Sequence, residues 1–162
     1  MEKLFHVLEA QQFSRSWFEK EFVPVVEEMV KKAKIIGCND LSGKSGISFF
    51  EEPSTRTRAS FEIAMKKLGG DIIFSTENAI EFSSRAKGES IEDTIKILCG
   101  YGPDVIIYRT REEGMAKRAA TLSSVPIINA GDGPGDHPSQ SLLDLYTVVK
   151  EKGQIDDLSI AI

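Results

Sequence analysis

The chain has 162 residues, a formal net charge of −5 and 28 % charged residues. This length is enough for one domain with a hydrophobic core, and the acidic charge argues against a nucleic-acid-binding surface. No apolar run approaches the ~18 residues that a membrane-spanning helix needs, so no membrane contact is expected. The cysteines, Cys38 and Cys99, have neither metal-binding nor redox spacing. They favour a reducing compartment, and we expect a cytoplasmic protein.

Hydrophobic patterns predict helices and strands that alternate along the chain. The first helix covers residues 14–36, with Trp17 in the core and a kink or break at Pro24. Four short apolar runs are typical of strands: residues 46–50, 71–75, 104–108 and 125–129. The first is expected to be buried, and the third is apolar enough for a parallel strand covered on both faces. A helix is predicted after each strand, beginning at Ser54, Ser90, Glu112 and Pro138. A further strand is predicted for residues 158–162. The alternation predicts a three-layer α/β/α fold with a four-stranded parallel sheet.

Residues 53–57, Pro-Ser-Thr-Arg-Thr, connect the first predicted strand to its helix. The first N–H groups of a helix have no partner inside the helix, and the helix dipole adds partial positive charge there. The hydroxyls and the guanidinium of Arg56 would complete a site for a tetrahedral anion such as phosphate. Ser and Pro are also ordinary helix starters, so the segment alone is equally consistent with a simple helix cap.

Polar residues follow every predicted strand. Residues 54–57 follow the first strand, a long polar loop at residues 76–89 follows the second, and Arg109 follows the third. His137 and Gln140 follow the fourth. Open parallel sheets bind their ligands outside the carboxyl ends of the strands. Because these features share that edge, we predict one common binding site.

The motifs resemble those of the aspartate and ornithine carbamoyltransferases. The run Ser-Thr-Arg-Thr-Arg at residues 54–58 matches the family's signature for binding carbamoyl phosphate. Lys-Gly-Glu-Ser at residues 87–90 is similar to the mobile loop of the aspartate enzymes, although Ala86 precedes it where some relatives have a second lysine. Asn-Ala-Gly-Asp-Gly at residues 129–133, followed by His-Pro-Ser-Gln at residues 137–140, also favours the aspartate branch. The resemblance covers nearly the whole chain.

The resemblance implies an activity and partners. Residues 1–150 would form the carbamoyl-phosphate-binding domain, and residues 151–162 a linker and the first strand of an amino-acid-binding domain. The reaction implied is transfer of the carbamoyl group of carbamoyl phosphate to the amine of L-aspartate, which gives N-carbamoyl-L-aspartate and phosphate in pyrimidine biosynthesis. No cofactor and no metal are expected. A homotrimer is implied, and a regulatory chain is a further partner that the family allows.

The resemblance also implies residue roles. Four residues would hold the phosphate group: Ser54, Thr55, Arg56 and Thr57. Arg109 would bridge the phosphate and the carbonyl oxygen, His137 would donate a hydrogen bond to that oxygen, and Gln140 would bind the carbamoyl amide. The catalytic set would be Arg56, Thr57, Arg109 and His137. Lys87 would reach the active site of a neighbouring subunit, whereas Arg58 is expected to form a structural salt bridge.

Alternatives to this reaction stay open. The acceptor is chosen mainly by a domain that the chain does not include, so an ornithine carbamoyltransferase or a transferase to another amine is a rival. A non-catalytic module that binds a phosphate-containing ligand is another. Because the chain supplies residues for only one substrate, we expect it to be a piece of a longer protein. Alone, it should bind carbamoyl phosphate weakly and be inactive.

Overall fold

A single parallel sheet forms the middle layer of the protein. The computed structural model describes residues 5–32 and 38–159. The strands are β1 (Ser45–Phe50), β2 (Asp71–Thr76), β3 (Val105–Thr110) and β4 (Ile127–Asp132). They pair in parallel in the order β2-β1-β3-β4. The predicted four-stranded parallel sheet is therefore confirmed.

Helices cover both faces of this sheet, as the three-layer α/β/α prediction requires. They are α1 (Arg15–Trp17), α2 (Val23–Lys32), α3 (Thr55–Lys67), α4 (Ala79–Phe82), α5 (Ile91–Gly100), α6 (Met115–Ala120) and α7 (Pro138–Lys152). A π-helical turn, Phe18–Phe22, joins α1 to α2 and ends two residues before Pro24. A proline ring disrupts the regular α-helical hydrogen bonds, and the wider turn accommodates it. The rest of the first predicted helix, residues 33–36, lies outside the described residues.

The alternation of side chains along the central strands divides the core into two parts. Ile47 of β1 and Ile106 of β3 are fully buried in the larger cluster, which also contains the apolar residues of α5 and α6. Phe50 and Ile107 belong to a smaller cluster on the opposite face, where Phe61 of α3 packs against them. Burying these side chains supplies most of the stabilising free energy of such a fold. The two strands that carry the core, β1 and β3, are also the central pair of the sheet.

Several predicted boundaries differ from the structure. The strand β3 extends to Thr110, because it continues to pair with β1 and β4 beyond residue 108. Arg109 therefore lies inside the strand. The helix α6 begins only at Met115, because Gly114 before it has a left-handed φ of +81°. The polar loop at residues 76–89 contains α4 and a 3₁₀ turn, Ser84–Lys87.

Two further predictions fail or fall partly outside the described residues. Trp17 is only partly buried and stacks on Phe13, with ring centroids 4.5 Å apart, so it is not a core residue. Residues 158 and 159 have no regular secondary structure, and residues 160–162 of the predicted strand lie outside the described part. Among the helices that the structure describes, none combines the length and the apolar character needed to cross a membrane.

The strand order creates a crevice at one edge of the sheet. From β1 the chain passes to β2 on one side, and then crosses over to β3 on the other side of β1. Parallel sheets open at the point where the strand order reverses, and ligands bind there beyond the carboxyl ends of the strands. In this sheet the point lies between the ends of β1 and β3, where α3 begins and Arg109 is located.

Candidate active site

A cleft of about 720 Å³ opens at the carboxyl ends of β1 and β3. Most residues of the predicted site line it: Ser54, Arg56, Thr57, Arg109, His137 and Gln140. They come from the start of α3, the end of β3 and the start of α7. Residues far apart in the sequence thus meet in one cleft, as predicted for the ends of the first, third and fourth strands. No residue of the predicted loop at 76–89 lines it.

Two predicted residues do not line this cleft. Thr55 is exposed at the first position of α3, where successive side chains of a helix point about 100° apart. Only its backbone N–H belongs to the helix end. Lys87 is exposed at the end of the Ser84–Lys87 turn and is not a neighbour of the cleft residues of its own chain.

Five further residues line the cleft that were not predicted from the sequence: Ser60, Phe61, Ala64, Ser139 and Leu143. Those on α3 follow Thr57 at intervals of three, four and seven residues, and Leu143 follows Gln140 by three. Residues at this spacing lie on one face of a helix. The spacing from the predicted residues was therefore a signal that could have identified most of them.

The beginning of α3 presents free backbone donors. Ser54 is the N-cap residue, and its hydroxyl makes no capping hydrogen bond with any described residue. The Arg58 N–H is bonded to the Ser54 carbonyl at 2.9 Å, whereas the preceding N–H groups of the helix have no intrahelical acceptor. These N–H groups and the helix dipole favour an anion at this position.

Two carboxylates that do not line the cleft hold this turn in place. The Ser54 N–H donates to Glu77 at 2.9 Å. Arg58 lies 3.4 Å from Glu77 and 3.7 Å from Glu62, so the expected structural salt bridge of Arg58 is confirmed. Because Arg58 is held by these acids, Arg56 is the arginine of the signature that lines the cleft.

Arg109 provides a second cation, which is held firmly. Its Nη1 donates to the Ala130 carbonyl at 2.9 Å, and its Nη2 lies 2.9 Å from the Glu52 carboxylate. Its Nε is buried and has no hydrogen-bond partner among the described residues. A buried donor without a partner costs free energy, and such groups occur where a ligand or water completes the hydrogen bond.

Gly131 makes room for the two side chains that lie above the end of β4. It has a φ of +119°, and a Cβ at this position would lie 2.5 Å from Arg109 Nη1 and 3.4 Å from His137 Cδ2. Any larger residue would displace the guanidinium. The glycine thus allows Arg109 and His137 to approach the same point of the cleft.

His137 is the N-cap of α7, and Pro138 occupies the first helical position. Burial lowers the pKa of His137 below its usual 6.5, and the positive charge of Arg109 lowers this pKa further. The imidazole is therefore neutral at neutral pH. Its Nδ1 lies 3.3 Å from the Ser139 hydroxyl. When that hydroxyl donates to Nδ1, Nε2 carries the proton and can donate a hydrogen bond.

Gln140 is exposed in the first turn of α7. Its Nε2 donates to Asp144 at 2.9 Å, which leaves the amide oxygen as the atom that can accept from a ligand N–H. No group of three or more His, Cys, Asp or Glu side chains in residues 5–32 and 38–159 is arranged to hold a metal ion. Chemically, the cleft can bind a dianion and donate hydrogen bonds to a polarised oxygen beside it.

Comparison with known proteins agrees with this chemistry. Residues 6–150 match the family model of the aspartate/ornithine carbamoyltransferase carbamoyl-P binding domain. The chain belongs to the aspartate/ornithine carbamoyltransferase family. It is 49 % identical over 160 residues to aspartate carbamoyltransferase 1 (chloroplastic) of Pisum sativum, covering 99 % of this chain and 41 % of that protein. It is also 49 % identical to the aspartate carbamoyltransferase catalytic subunit of Methanothrix thermoacetophila, covering 100 % and 52 %.

Solved structures of this family share the fold. The aspartate transcarbamoylase of Trypanosoma cruzi in complex with carbamoyl phosphate and aspartate has a TM-score of 0.84 and 36 % identity, over 94 % of this chain and 46 % of that chain. The catalytic subunit of the Methanocaldococcus jannaschii enzyme gives 0.82 and 44 %, over 94 % and 49 %. The chain thus spans about half the length of the carbamoyltransferases that it matches.

The charge state of His137 can be measured by NMR, because the chain has only one other histidine, His6. We expect the pKa of His137 to lie below 6.5 and to rise when inorganic phosphate binds, since a nearby dianion favours the imidazolium. His6 is an internal control: burial also lowers its pKa, but its Nδ1 accepts from the Ile127 N–H and it does not line the cleft. A His137 pKa that phosphate leaves unchanged, or that moves together with that of His6, would contradict this site.

Proposed function

We propose that this chain binds carbamoyl phosphate in the cleft and forms part of an aspartate carbamoyltransferase. The observation that carries the proposal is the meeting of the α3 N-terminus, Arg56, Arg109 and a neutral His137 in one cleft. Carbamoyl phosphate joins a phosphate dianion to a small carbonyl group. The cleft offers donors of matching type for both parts, and the matched family model is a carbamoyl-phosphate-binding domain.

The phosphate group would lie at the beginning of α3. Ser54 and Thr57 supply hydroxyl donors, Arg56 supplies a guanidinium that can bind two phosphate oxygens, and the free N–H groups of the helix end complete the site. Thr55 contributes through its backbone. A dianion that reaches Arg109 competes with Glu52 for the guanidinium. The carboxylate of Glu52 therefore weakens phosphate binding. When no phosphate is bound, Glu52 remains paired with Arg109.

The carbonyl oxygen of the ligand would lie between Arg109 and His137. When the aspartate amine attacks the carbonyl carbon, a C–N bond forms and negative charge develops on this oxygen. The C–O bond to phosphate then breaks, phosphate leaves, and the amine loses a proton. Donors that are already oriented towards the oxygen stabilise this charge without further reorganisation. The Gln140 amide oxygen would accept from the carbamoyl NH₂ and hold its orientation.

The names of the relatives favour aspartate as the acceptor. The plant and archaeal proteins similar to this chain are called aspartate carbamoyltransferases, and the Trypanosoma cruzi enzyme has been solved with carbamoyl aspartate and phosphate. We extend this acceptor, and with it a role in pyrimidine biosynthesis, to the whole protein. The domain boundary at residue 150 is supported by the end of α7 at Lys152. The cytoplasmic location and a regulatory partner stay predictions from the sequence.

An apolar surface near the Ser84–Lys87 turn, called here the Lys87 turn, supports a homotrimer that shares Lys87 between subunits. Large apolar side chains are exposed along the edge strand β2 and the neighbouring helices: Ile73, Phe74, Phe82, Ile97 and Tyr101. Several of them border a groove of about 400 Å³ that also contacts Ser83 and Ser84. Contiguous exposed apolar surface of this kind marks protein–protein contacts. A neighbouring copy on this surface would bring its own cleft towards the exposed Lys87.

The acceptor is tested with the whole protein, carbamoyl phosphate and either L-aspartate or L-ornithine. We expect N-carbamoyl-L-aspartate with L-aspartate and no citrulline with L-ornithine. Citrulline as the main product would show that the protein is an ornithine carbamoyltransferase and that aspartate is not its acceptor. Carbamoyl phosphate binding without product from either amine would leave a ligand-binding module, and the proposed reaction would be wrong.

The phosphate site is tested with two arginines that lie two positions apart. Arg56→Ala should weaken binding of carbamoyl phosphate by roughly 2–4 kcal/mol, because a charge-assisted contact to the phosphate is removed. Arg58→Ala is the matched control, since Arg58 pairs with Glu62 and Glu77 and does not line the cleft. Calorimetric titration of each variant measures the change. Equal affinities of the wild type and Arg56→Ala, or an equal loss in both variants, would rule out the proposed contact.

A further inference from the structure

Two consecutive glutamates at the end of β1 lie on opposite faces of the sheet. The Glu51 N–H donates to the Arg109 carbonyl at 2.8 Å, so the extended pairing of β1 with β3 continues one residue past the strand. Consecutive side chains of an extended segment point to opposite faces. Glu52 accordingly contacts Arg109, which lines the cleft, whereas the Glu51 side chain is only 1 % exposed on the other face.

The buried Glu51 carboxylate is fully engaged by partners of two different elements. Its Oε1 accepts from Arg85 Nε at 2.6 Å, and its Oε2 accepts from the Tyr108 hydroxyl at 2.6 Å. Tyr108 is fully buried and lies next to Arg109 in β3. A buried carboxylate is tolerated only when such partners satisfy it, so this arrangement is specific to these side chains.

Arg85 belongs to the Ser84–Lys87 turn and holds it closed. Its side-chain Nη1 donates to the Glu89 carbonyl, and its backbone N–H donates to the Ser83 hydroxyl at 3.1 Å. The turn itself buries none of its residues. Hydrophobic burial therefore contributes little to its position, and the guanidinium is its main attachment to the sheet.

Arg85 and Tyr108 both keep their protons at neutral pH. Burial alone would lower the pKa of Arg85, but the hydrogen bond and the negative charge of Glu51 outweigh it and raise this pKa. Burial, followed by the charge of Glu51, raises the pKa of Tyr108 as well. The phenol thus stays protonated and donates to the Glu51 carboxylate, and the guanidinium of Arg85 stays charged at neutral pH.

We infer that Glu51 and Arg85 are positioning residues that fix the Lys87 turn relative to the cleft on the opposite face of the sheet. The link is short, because Glu51 adjoins Glu52 and Tyr108 adjoins Arg109. Any displacement of these strand ends therefore moves both ion pairs: Glu52 with Arg109 at the cleft, and Glu51 with Arg85 at the turn. The part of Lys87 in the reaction rests on the proposed function, whereas the anchoring of the turn does not.

The anchoring is tested without any ligand, by the rate at which a lysine-specific protease cuts after Lys87. In Glu51→Gln we expect cleavage at Lys87 to become about tenfold faster, because the turn detaches locally, while hydrogen exchange in α5 is unchanged. Glu81→Gln is the matched control, since Glu81 is an exposed carboxylate of the same polar loop, residues 76–89. Its cleavage rate should equal that of the wild type.

A second variant covers the case in which Glu51→Gln does not fold. In Glu51→Met/Arg85→Leu, apolar side chains replace the pair, and such replacements of buried ion pairs usually preserve folding. Here too the turn should be cut faster at Lys87. An unchanged rate at Lys87 in either folded variant would overturn the inference. So would a rate that rises equally at all lysines, since that result would indicate a general loss of stability.

The positioning of Lys87 for the reaction is tested by combining variants in the whole protein. Because Glu51 faces away from the cleft, Glu51→Gln should bind inorganic phosphate within about twofold of the wild type. Its turnover should fall about tenfold, and Glu51→Gln/Lys87→Gln should be no slower than Lys87→Gln, because both changes remove the same contribution. Additive losses would overturn the positioning role. Absence of turnover in the wild type would instead contradict the proposed function and leave the protease result valid.

Discussion

The structure depends on the parallel pairing of β1 with β3 at the centre of the sheet. In this register Phe50 lies opposite Arg109, and the pairing continues through Glu51. The start of α3 is therefore fixed beside the guanidinium of Arg109, although the two are about fifty residues apart in the chain. Successive side chains of a strand point to opposite faces, so neighbouring residues contact different parts of the protein. Glu52 pairs with Arg109, which lines the cleft, and Glu51 meets Tyr108 on the opposite face of the sheet.

The cleft concentrates positive potential in a protein that is acidic overall. The formal net charge is −5, but the cleft is lined by two arginines and by the positive ends of two helices. The concentrated positive charge is locally unfavourable in two respects. Burial and, after it, the charge of Arg109 lower the pKa of His137, and the buried Nε of Arg109 has no partner among the described residues. A phosphate dianion bound as proposed would raise the pKa of His137 and could accept from the Nε–H of Arg109, so it would offset both effects.

Much of the fold could be predicted from the sequence, because the signals for it are local. Each strand is a short apolar run, and Ser54 and Pro138 mark helix starts that the structure reproduces. The cleft residues could be found because they follow the strands directly. The extent of β3 could not be found in this way, because Arg109 is held in the strand by pairing with β1 and not by its own preference.

The anchor behind the cleft had no local signal at all. A glutamate at the end of a strand is usually solvated, and the arginine that makes its burial acceptable lies 34 residues away in a polar segment. Trp17 shows the opposite error. A single tryptophan suggests a core position, but the helix that carries it lies on the surface, and the ring is covered only in part by its neighbours.

The central claim is that the end of β1 and the end of β3 together bind a phosphate group. The most direct measurement is the change of NMR chemical shifts when inorganic phosphate is added to the ¹⁵N-labelled protein. We expect the signals of the Arg109 Nε–H and of three backbone amides, those of Thr55, Arg56 and Thr57, to shift together and to saturate with one dissociation constant. Shifts confined to other parts of the chain, or separate constants for α3 and Arg109, would contradict it.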